Sequence, residues 1–125
     1  MYLVDTNIFL EILLLQNRSQ ECKNFLSKNT GELNLTDFSL HSIGVILFRE
    51  NQDKLFLKFV ADILPKIQLI SLPKSLYKNV VQNRKKINLD FDDAYQYSVC
   101  KHYGFRLTTM DQDFKNVRDI EIQFL

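Results

Sequence analysis

Apolar and polar residues follow two alternating patterns along the chain. Five short runs are mostly apolar, and such runs are typical of strands that are covered on both faces of a parallel sheet. Most of them stop at polar or turn-forming residues, of which Asp5 and Pro73 are examples. We therefore predict strands at residues 2–4, 33–36, 67–72, 105–108 and 120–124.

Between these strands, apolar residues recur at the spacing of helices. The segment Ile8–Leu15 is apolar nearly all round, as expected of a buried helix. Asp90 and Asp93 form a capping-box arrangement at the start of a later helix, and Gly104 ends it. That helix spans 91–103. Further helices are predicted from Ser19 to the residue before Gly31, at 38–49, at 55–64 and around 77–81, with a short helical turn at 111–116.

Strands that alternate with helices indicate a sheet packed between helices. The predicted fold class is therefore α/β, a three-layer α/β/α sandwich with a five-stranded, mostly parallel sheet. A length of 125 residues suits one domain. Because no linker, repeat or low-complexity segment interrupts the pattern, we predict a single domain over residues 1–125.

Composition narrows the class of protein without giving a function. The net charge is +1, so the chain as a whole has no strong attraction to nucleic acid or anionic membrane. No apolar run approaches the roughly 20 residues of a membrane span, and the first residues lack the basic leader of a signal peptide. Cys22 and Cys100 fit no zinc-ligand pattern, so we expect buried, reduced thiols in a cytoplasmic protein.

Four aspartates mark the candidate site. Asp5, Asp37 and Asp111 each follow a predicted strand, and Asp93 lies in the first turn of a predicted helix. In a parallel sheet all strand-to-helix turns emerge at one edge, where ligands bind. Carboxylates gathered there repel one another unless a divalent cation is bound, and an all-oxygen site favours Mg²⁺ or Mn²⁺. The alternative is that each aspartate only caps a helix, which is strongest for Asp37 and weaker for Asp5.

Three segments carry a family resemblance: Leu3-Val4-Asp5-Thr6-Asn7, Leu89-Asp90-Phe91-Asp92-Asp93-Ala94 and the late segment 107–114. In their order and spacing, over nearly the whole chain, they resemble the PIN domain family of ribonucleases, which includes the VapC-type toxins of prokaryotic toxin–antitoxin pairs. The resemblance implies a metal-dependent endoribonuclease that leaves 5′-phosphate and 3′-hydroxyl ends. It also implies an antitoxin partner and a homodimer.

The same resemblance implies roles for individual residues. Asp5, Asp93 and Asp111 would be the catalytic metal ligands, and Asp113 would be an accessory acid near the metal or bound to it through water. Asn7 and Thr109 would hydrogen-bond a ligand or the scissile phosphate. Thr6 would cap the first helix and hold Asp5 in place.

The helix after the second strand departs from the family pattern. PIN nucleases usually carry a glutamate early in this helix, but Ser42 stands at about that position. Asp37, from one turn earlier, or His41 could contribute a ligand instead, although imidazole suits Mn²⁺ better than Mg²⁺. The missing carboxylate leaves open a second function, a catalytically impaired PIN-like module that binds RNA or a protein. A third alternative is a phosphatase-like or receiver domain, whose acidic residues stand in a different motif.

Basic and aromatic residues support two further hypotheses. Either Tyr95 or Tyr97 could stack on an RNA base while the other is buried. The region 48–64 is apolar enough for a dimer face, or it could be internal. The basic residues near the aspartates, which could contact an RNA backbone, are Arg84, Lys85, Lys86, Lys101, Arg106 and Lys115.

Overall fold

The computed structural model describes residues 1–125 and contains one five-stranded sheet in which every neighbouring pair of strands is parallel. The order across the sheet is β3-β2-β1-β4-β5. The predicted α/β class and all five strands are confirmed, and the sheet is wholly parallel. The strands are β1 (Tyr2–Val4), β2 (Leu33–Thr36), β3 (Gln68–Ile70), β4 (Arg106–Thr109) and β5 (Ile122–Phe124).

Six α-helices connect the strands. The predicted helix at 55–64 is shorter than expected: after Lys58 the backbone widens into a π turn at Phe59–Ile63 and then tightens into a 3-10 turn at Leu64–Lys66. Pro65 lies in this last turn, where its missing N–H prevents the helix from continuing. The helices are α1 (Thr6–Leu13), α2 (Ser19–Lys28), α3 (Asp37–Arg49), α4 (Asp53–Lys58), α5 (Tyr77–Ile87) and α6 (Phe91–Tyr103).

Two apolar cores lie on the two faces of the sheet. Consecutive strand residues point to opposite faces, so Leu3 packs with residues of α5 and α6 while Val4 packs with residues of α1, α2 and α3. Cys22 is buried in one core and Cys100 in the other, and both are free thiols, as predicted. The layers are therefore helix, sheet and helix.

The strand order positions the site. The chain builds β1, β2 and β3 in one direction, and then returns to place β4 and β5 on the other side of β1. The carboxyl ends of β1 and β4 thus flank the point where the winding reverses, and ligands of parallel sheets bind in the crevice at such a point. None of the helices combines the length and apolar character needed to cross a membrane.

Candidate metal centre at the carboxyl edge of the sheet

A cleft of about 280 Å³ opens at the carboxyl ends of β1 and β4. Asp5 directly follows β1, and its backbone N–H donates to the carbonyl oxygen of Thr108 on β4 over 3.0 Å. Asp111 lies two residues after β4, and Asp93 lies at the start of α6. The three aspartates, which are far apart in sequence, line this one cleft.

Asp5 is more than a helix cap. It occupies the N-cap position of α1, yet its side chain makes no capping hydrogen bond, and only 8% of its surface is exposed. Its Oδ2 accepts a hydrogen bond of 2.8 Å from the Thr109 hydroxyl instead. Burial raises the pKa of Asp5 and the Asp111 charge adds to the rise, while hydrogen bonds from Thr109 and Gln96 oppose it. The fold therefore turns this carboxylate toward β4 rather than toward its own helix.

The Thr109 hydroxyl joins two of the aspartates. While Oγ1 donates to Asp5, it accepts a hydrogen bond of 2.9 Å from the backbone N–H of Asp111. Asp111 then continues the chain of contacts, because its Oδ1 accepts from the backbone N–H of Asp113 over 2.9 Å. One fully buried hydroxyl thus fixes the carboxylate after β1 relative to the loop after β4.

Asp93 lies in an environment that disfavours its charged form. Asp90 caps α6 by accepting a 3.0 Å hydrogen bond from the Asp93 N–H, so the predicted capping arrangement is confirmed on that side. Burial raises the pKa of the Asp93 carboxyl to about 8, and the charges of Asp111, Asp90, Asp5 and Asp113 contribute to the rise in that order. Near neutral pH, Asp93 holds its proton unless a cation offsets the surrounding negative charge.

The donor set of the cleft fits a divalent cation. Carboxylate oxygens of Asp93, Asp111 and Asp113 all lie within 4.8 Å of one another, and Asp5 lines the same cleft beside them. These ligands are all oxygen atoms, which suits Mg²⁺ or Mn²⁺ and does not suit the softer metals. A bound cation would offset the repulsion from the neighbouring aspartates, which adds to the effect of burial in raising the pKa of Asp93.

The predicted accessory residues divide into two groups. Thr6, Asn7 and Ser42 line the cleft with the acids. Thr6 does not cap α1, since it is the first helical residue, and its hydroxyl donates to Ser39 Oγ over 2.8 Å. Ser42 brings a hydroxyl to the cleft wall but no charge.

Asp37 and His41 lie outside the cleft. The Asp37 carboxylate accepts a 2.8 Å hydrogen bond from the backbone N–H of Phe38 and one of 3.3 Å from the Tyr95 hydroxyl. Together with His41 it borders a larger, mostly apolar cavity of about 830 Å³ between α3 and α4. The Asp37 carboxylate is therefore bonded at the start of α3 and does not contribute to the cleft.

Three polar residues that line the cleft were not predicted as site residues. Asp90 and Asp92 precede Asp93 and add negative charge, which their sequence position beside Asp93 could have indicated. Gln96 lies one turn after Asp93 on α6, on the same helix face. A glutamine in a mostly apolar helix gives no metal signal in sequence, so only the fold reveals its place.

The aromatic and basic hypotheses need correction. Tyr95 and Tyr97 are both buried, with 2% and 1% of their surfaces exposed, so neither is free to stack on a base. Lys101 pairs with Asp119 and Arg106 pairs with Glu121, both near the amino end of β4 and away from the cleft. The exposed basic residues that remain near the site in sequence are Arg84, Lys85, Lys86 and Lys115.

Comparison with known proteins gives the family. Residues 2–120 match the family model described as PIN domain, so the chain belongs to the PIN domain family. This membership removes the phosphatase-like and receiver alternatives. No match is found among curated protein sequences.

Solved structures share the fold at low sequence identity. A toxin–antitoxin complex from Klebsiella pneumoniae has 19% identity and a TM-score of 0.77, with 96% of this chain and 95% of that chain covered. VapBC2 from Rickettsia felis, bound to a DNA fragment from its promoter, has 12% identity and a TM-score of 0.81, covering 98% and 97%. VapC20 from Mycobacterium tuberculosis, described as a sarcin-ricin loop cleaving toxin, has 16% identity and a TM-score of 0.80, covering 98% and 99%.

We predict that Asp93→Asn stabilises the metal-free protein at pH 8. The folded-state pKa of about 8 lies above the unfolded value of about 4, so folding takes up a proton between these values and stability falls as pH rises through that window. Asparagine does not titrate. In EDTA at pH 8 the variant should therefore melt several degrees above the wild type. The gain in the free energy of unfolding should be only about 1 kcal/mol, because solvent screens the partly exposed carboxylate.

Thermal unfolding at pH 5 and pH 8 measures this effect. At pH 5 the difference should shrink, because Asp93 is protonated in the folded wild type. Asp62→Asn, at an exposed position outside the cleft, serves as the control and should show the same small effect at both pH values. A lower melting temperature for Asp93→Asn at pH 8 would contradict the electrostatic account.

Proposed function

We propose that the protein is a metal-dependent endoribonuclease that hydrolyses RNA phosphodiester bonds, and that it is the toxin of a type II toxin–antitoxin pair. One observation carries the proposal. Three carboxylates, Asp93, Asp111 and Asp113, lie within 4.8 Å of one another beside buried Asp5, at the switch point of a PIN-domain fold.

The acidic residues have two tasks in this proposal. Asp93, Asp111 and Asp113 hold Mg²⁺ or Mn²⁺, and Asp5 faces it from the deeper wall of the cleft. The bound cation would accept a phosphate oxygen as ligand and lower the pKa of a water for attack, which is the chemistry of phosphodiester hydrolysis. The cleft is lined by no histidine, lysine or cysteine, so its carboxylates are the only side-chain bases at hand.

Polar neighbours orient these groups. Thr109 holds Asp5 and the Asp111 loop together through its two hydrogen bonds. Asn7 is exposed at the mouth of the cleft, where its side-chain amide can donate to a phosphate oxygen. Such contacts matter because ligand geometry sets metal affinity and rate.

RNA binding rests on charge outside the cleft. Arg84, Lys85 and Lys86 form the last turn of α5, a few residues before Asp90. Exposed cations there can hold the RNA backbone through its phosphates without reading its sequence. A sarcin-ricin loop is cut by the similar VapC20, and structured RNA in the cytoplasm is accordingly the substrate class that we assign here.

We also propose an antitoxin and a second copy of the chain as partners. The similar structures include toxin–antitoxin complexes. On this chain, the cavity between α3 and α4 includes Phe48, which is 59% exposed, and nearby Leu57 is 67% exposed. The apolar region 48–64 is thus partly uncovered, as a contact surface requires.

Cleavage of RNA tests the function directly. The purified protein should cut structured RNA with Mg²⁺ or Mn²⁺ and lose this activity in EDTA. Asp5→Asn should reduce the rate by at least about two orders of magnitude, because it removes a charge facing the cation. Asp37→Asn is the matched control and should keep the wild-type rate, since Asp37 lies outside the cleft. A panel of RNAs left intact at high protein concentration with both metals would contradict the proposal.

The uncharged Ser42 favours a second candidate, a catalytically impaired PIN-like module that binds RNA or a protein. Ser42 lines the cleft where a family glutamate usually stands, so the ligand set has one carboxylate fewer. The two candidates differ in metal binding. The nuclease binds Mn²⁺ as it stands, whereas the impaired module binds RNA or its partner without a divalent cation.

Restoring the carboxylate separates the two functions. Ser42→Glu should raise Mn²⁺ affinity by about tenfold, because it adds a charge to the cleft wall. Ser42→Gln, which has the same shape without the charge, should leave the affinity unchanged. Calorimetric titration of the three proteins gives the answer. Mn²⁺ binding that occurs only in Ser42→Glu would favour the impaired module, and equal affinities in the Glu and Gln variants would contradict the place of Ser42 at the metal.

A further inference from the structure

A buried glutamine lies beside Asp5 and has no part in the mechanism above. Gln96 is 3% exposed and lines the cleft from α6. Its Nε2 donates to Ser39 Oγ over 2.8 Å. Asp5 lines the same cleft, and the Gln96 amide acts to lower the pKa of that carboxyl, as a nearby donor does. Its Oε1 has no hydrogen-bond partner although it is buried. Among the residues that line the cleft, this Oε1 is the only buried polar side-chain atom without a hydrogen-bond partner.

The unpaired Oε1 indicates that the donor end of the Gln96 amide, Nε2, is the end that the site uses. A buried acceptor without a partner destabilises the fold, and an apolar side chain of similar volume would avoid this cost. The opposite orientation of the amide would place Oε1 against the Asp5 carboxylate, where two acceptors repel. The donor end of Gln96 therefore faces Asp5, and the unpaired Oε1 is the consequence.

A chain of hydrogen bonds fixes this amide in place. Ser39 Oγ accepts from Gln96 and also from the Thr6 hydroxyl, each over 2.8 Å. Ser39 is itself anchored, because its backbone N–H donates to Thr36 Oγ1 over 3.0 Å at the start of α3. These hydrogen bonds thus connect α6 and α3 with the first residue of α1, which directly follows Asp5.

We propose that Gln96 is a positioning residue of the metal centre, which together with Thr109 holds the Asp5 carboxylate from two sides in the orientation that faces the cation. This inference rests on the proposed metal-dependent function. With Ser42 in place of a carboxylate, the site has fewer charges, and the orientation of each remaining one counts for more. Residues that orient a metal ligand through hydrogen bonds strongly affect the affinity for the metal.

The substitution Gln96→Met tests the proposal. Methionine keeps the volume but removes both donor and acceptor, so Mn²⁺ affinity measured by calorimetry should fall roughly tenfold or more. The metal-free melting temperature should stay the same or rise, because the unpaired oxygen is gone. A role in packing alone would give the opposite pattern, a lower melting temperature with Mn²⁺ affinity within about twofold of wild type, and that result would overturn the proposal.

Asn34 provides the matched control. It is a buried amide, 0% exposed, whose Nδ2 donates to the Tyr2 carbonyl over 3.0 Å and whose Oδ1 is also unpaired. It lies within β2 and does not line the cleft. Asn34→Leu should therefore leave Mn²⁺ affinity unchanged. A fall equal to that of Gln96→Met would overturn the specific role of Gln96.

A measurement on the native side chain covers the case in which Gln96→Met does not fold. In the NMR spectrum of ¹⁵N-labelled protein, the side-chain amide resonances of Gln96 should shift when Asp5→Asn removes the carboxylate that lines the cleft beside them. No shift in those protons would overturn the proposal. Absence of Mn²⁺ binding by the wild-type protein would contradict the proposed function itself, whereas wild-type binding that Gln96→Met leaves intact would contradict only the role of Gln96.

Discussion

Repulsion between carboxylates is the constraint on which the site depends. A parallel sheet that reverses its winding between β1 and β4 brings Asp5 and Asp111 to one crevice, and α6 begins beside them with Asp93. Burial, and after it the charges of the neighbouring aspartates, raises the pKa of Asp93 to about 8. A folded chain keeps such an unfavourable cluster only where rigid surroundings maintain it, and strain of this kind is common at functional sites. Here the surroundings are two buried cores and a wholly parallel sheet.

A few hydrogen bonds fix the positions of the carboxylates in the cleft. The Thr109 hydroxyl bonds Asp5 on one side and the Asp111 backbone on the other, so two strands share one anchor. On the far side, Gln96 and Ser39 link the helices that surround the cleft. These groups carry no charge, yet they determine where the charged oxygens lie. In the proposed metal centre, the acidic residues would provide affinity for a cation, and the neutral ones would fix the geometry of its ligands.

Much of this arrangement could be predicted from the sequence, because it depends on local signals. Apolar runs, such as the one that ends at Asp5, predict the strands, and the capping pattern at Asp90 predicts the start of a helix. A parallel sheet implies that the turns after its strands emerge at one edge. The outlying position of Asp37 was not predictable, since it depends on a contact with Tyr95, 58 residues away. The burial of both Tyr95 and Tyr97 and the role of Gln96 likewise depend on how α6 packs, which no local pattern encodes.

The central claim is that the carboxylates at the switch point hold a divalent cation. A crystal structure of the protein soaked in Mn²⁺ tests it most directly, because anomalous scattering locates the ion independently of activity. The account predicts an anomalous peak among the oxygens of Asp93, Asp111 and Asp113, with the Asp5 carboxylate facing it. A soaked crystal with no peak in this cleft, or with Mn²⁺ bound only elsewhere on the chain, would contradict the account.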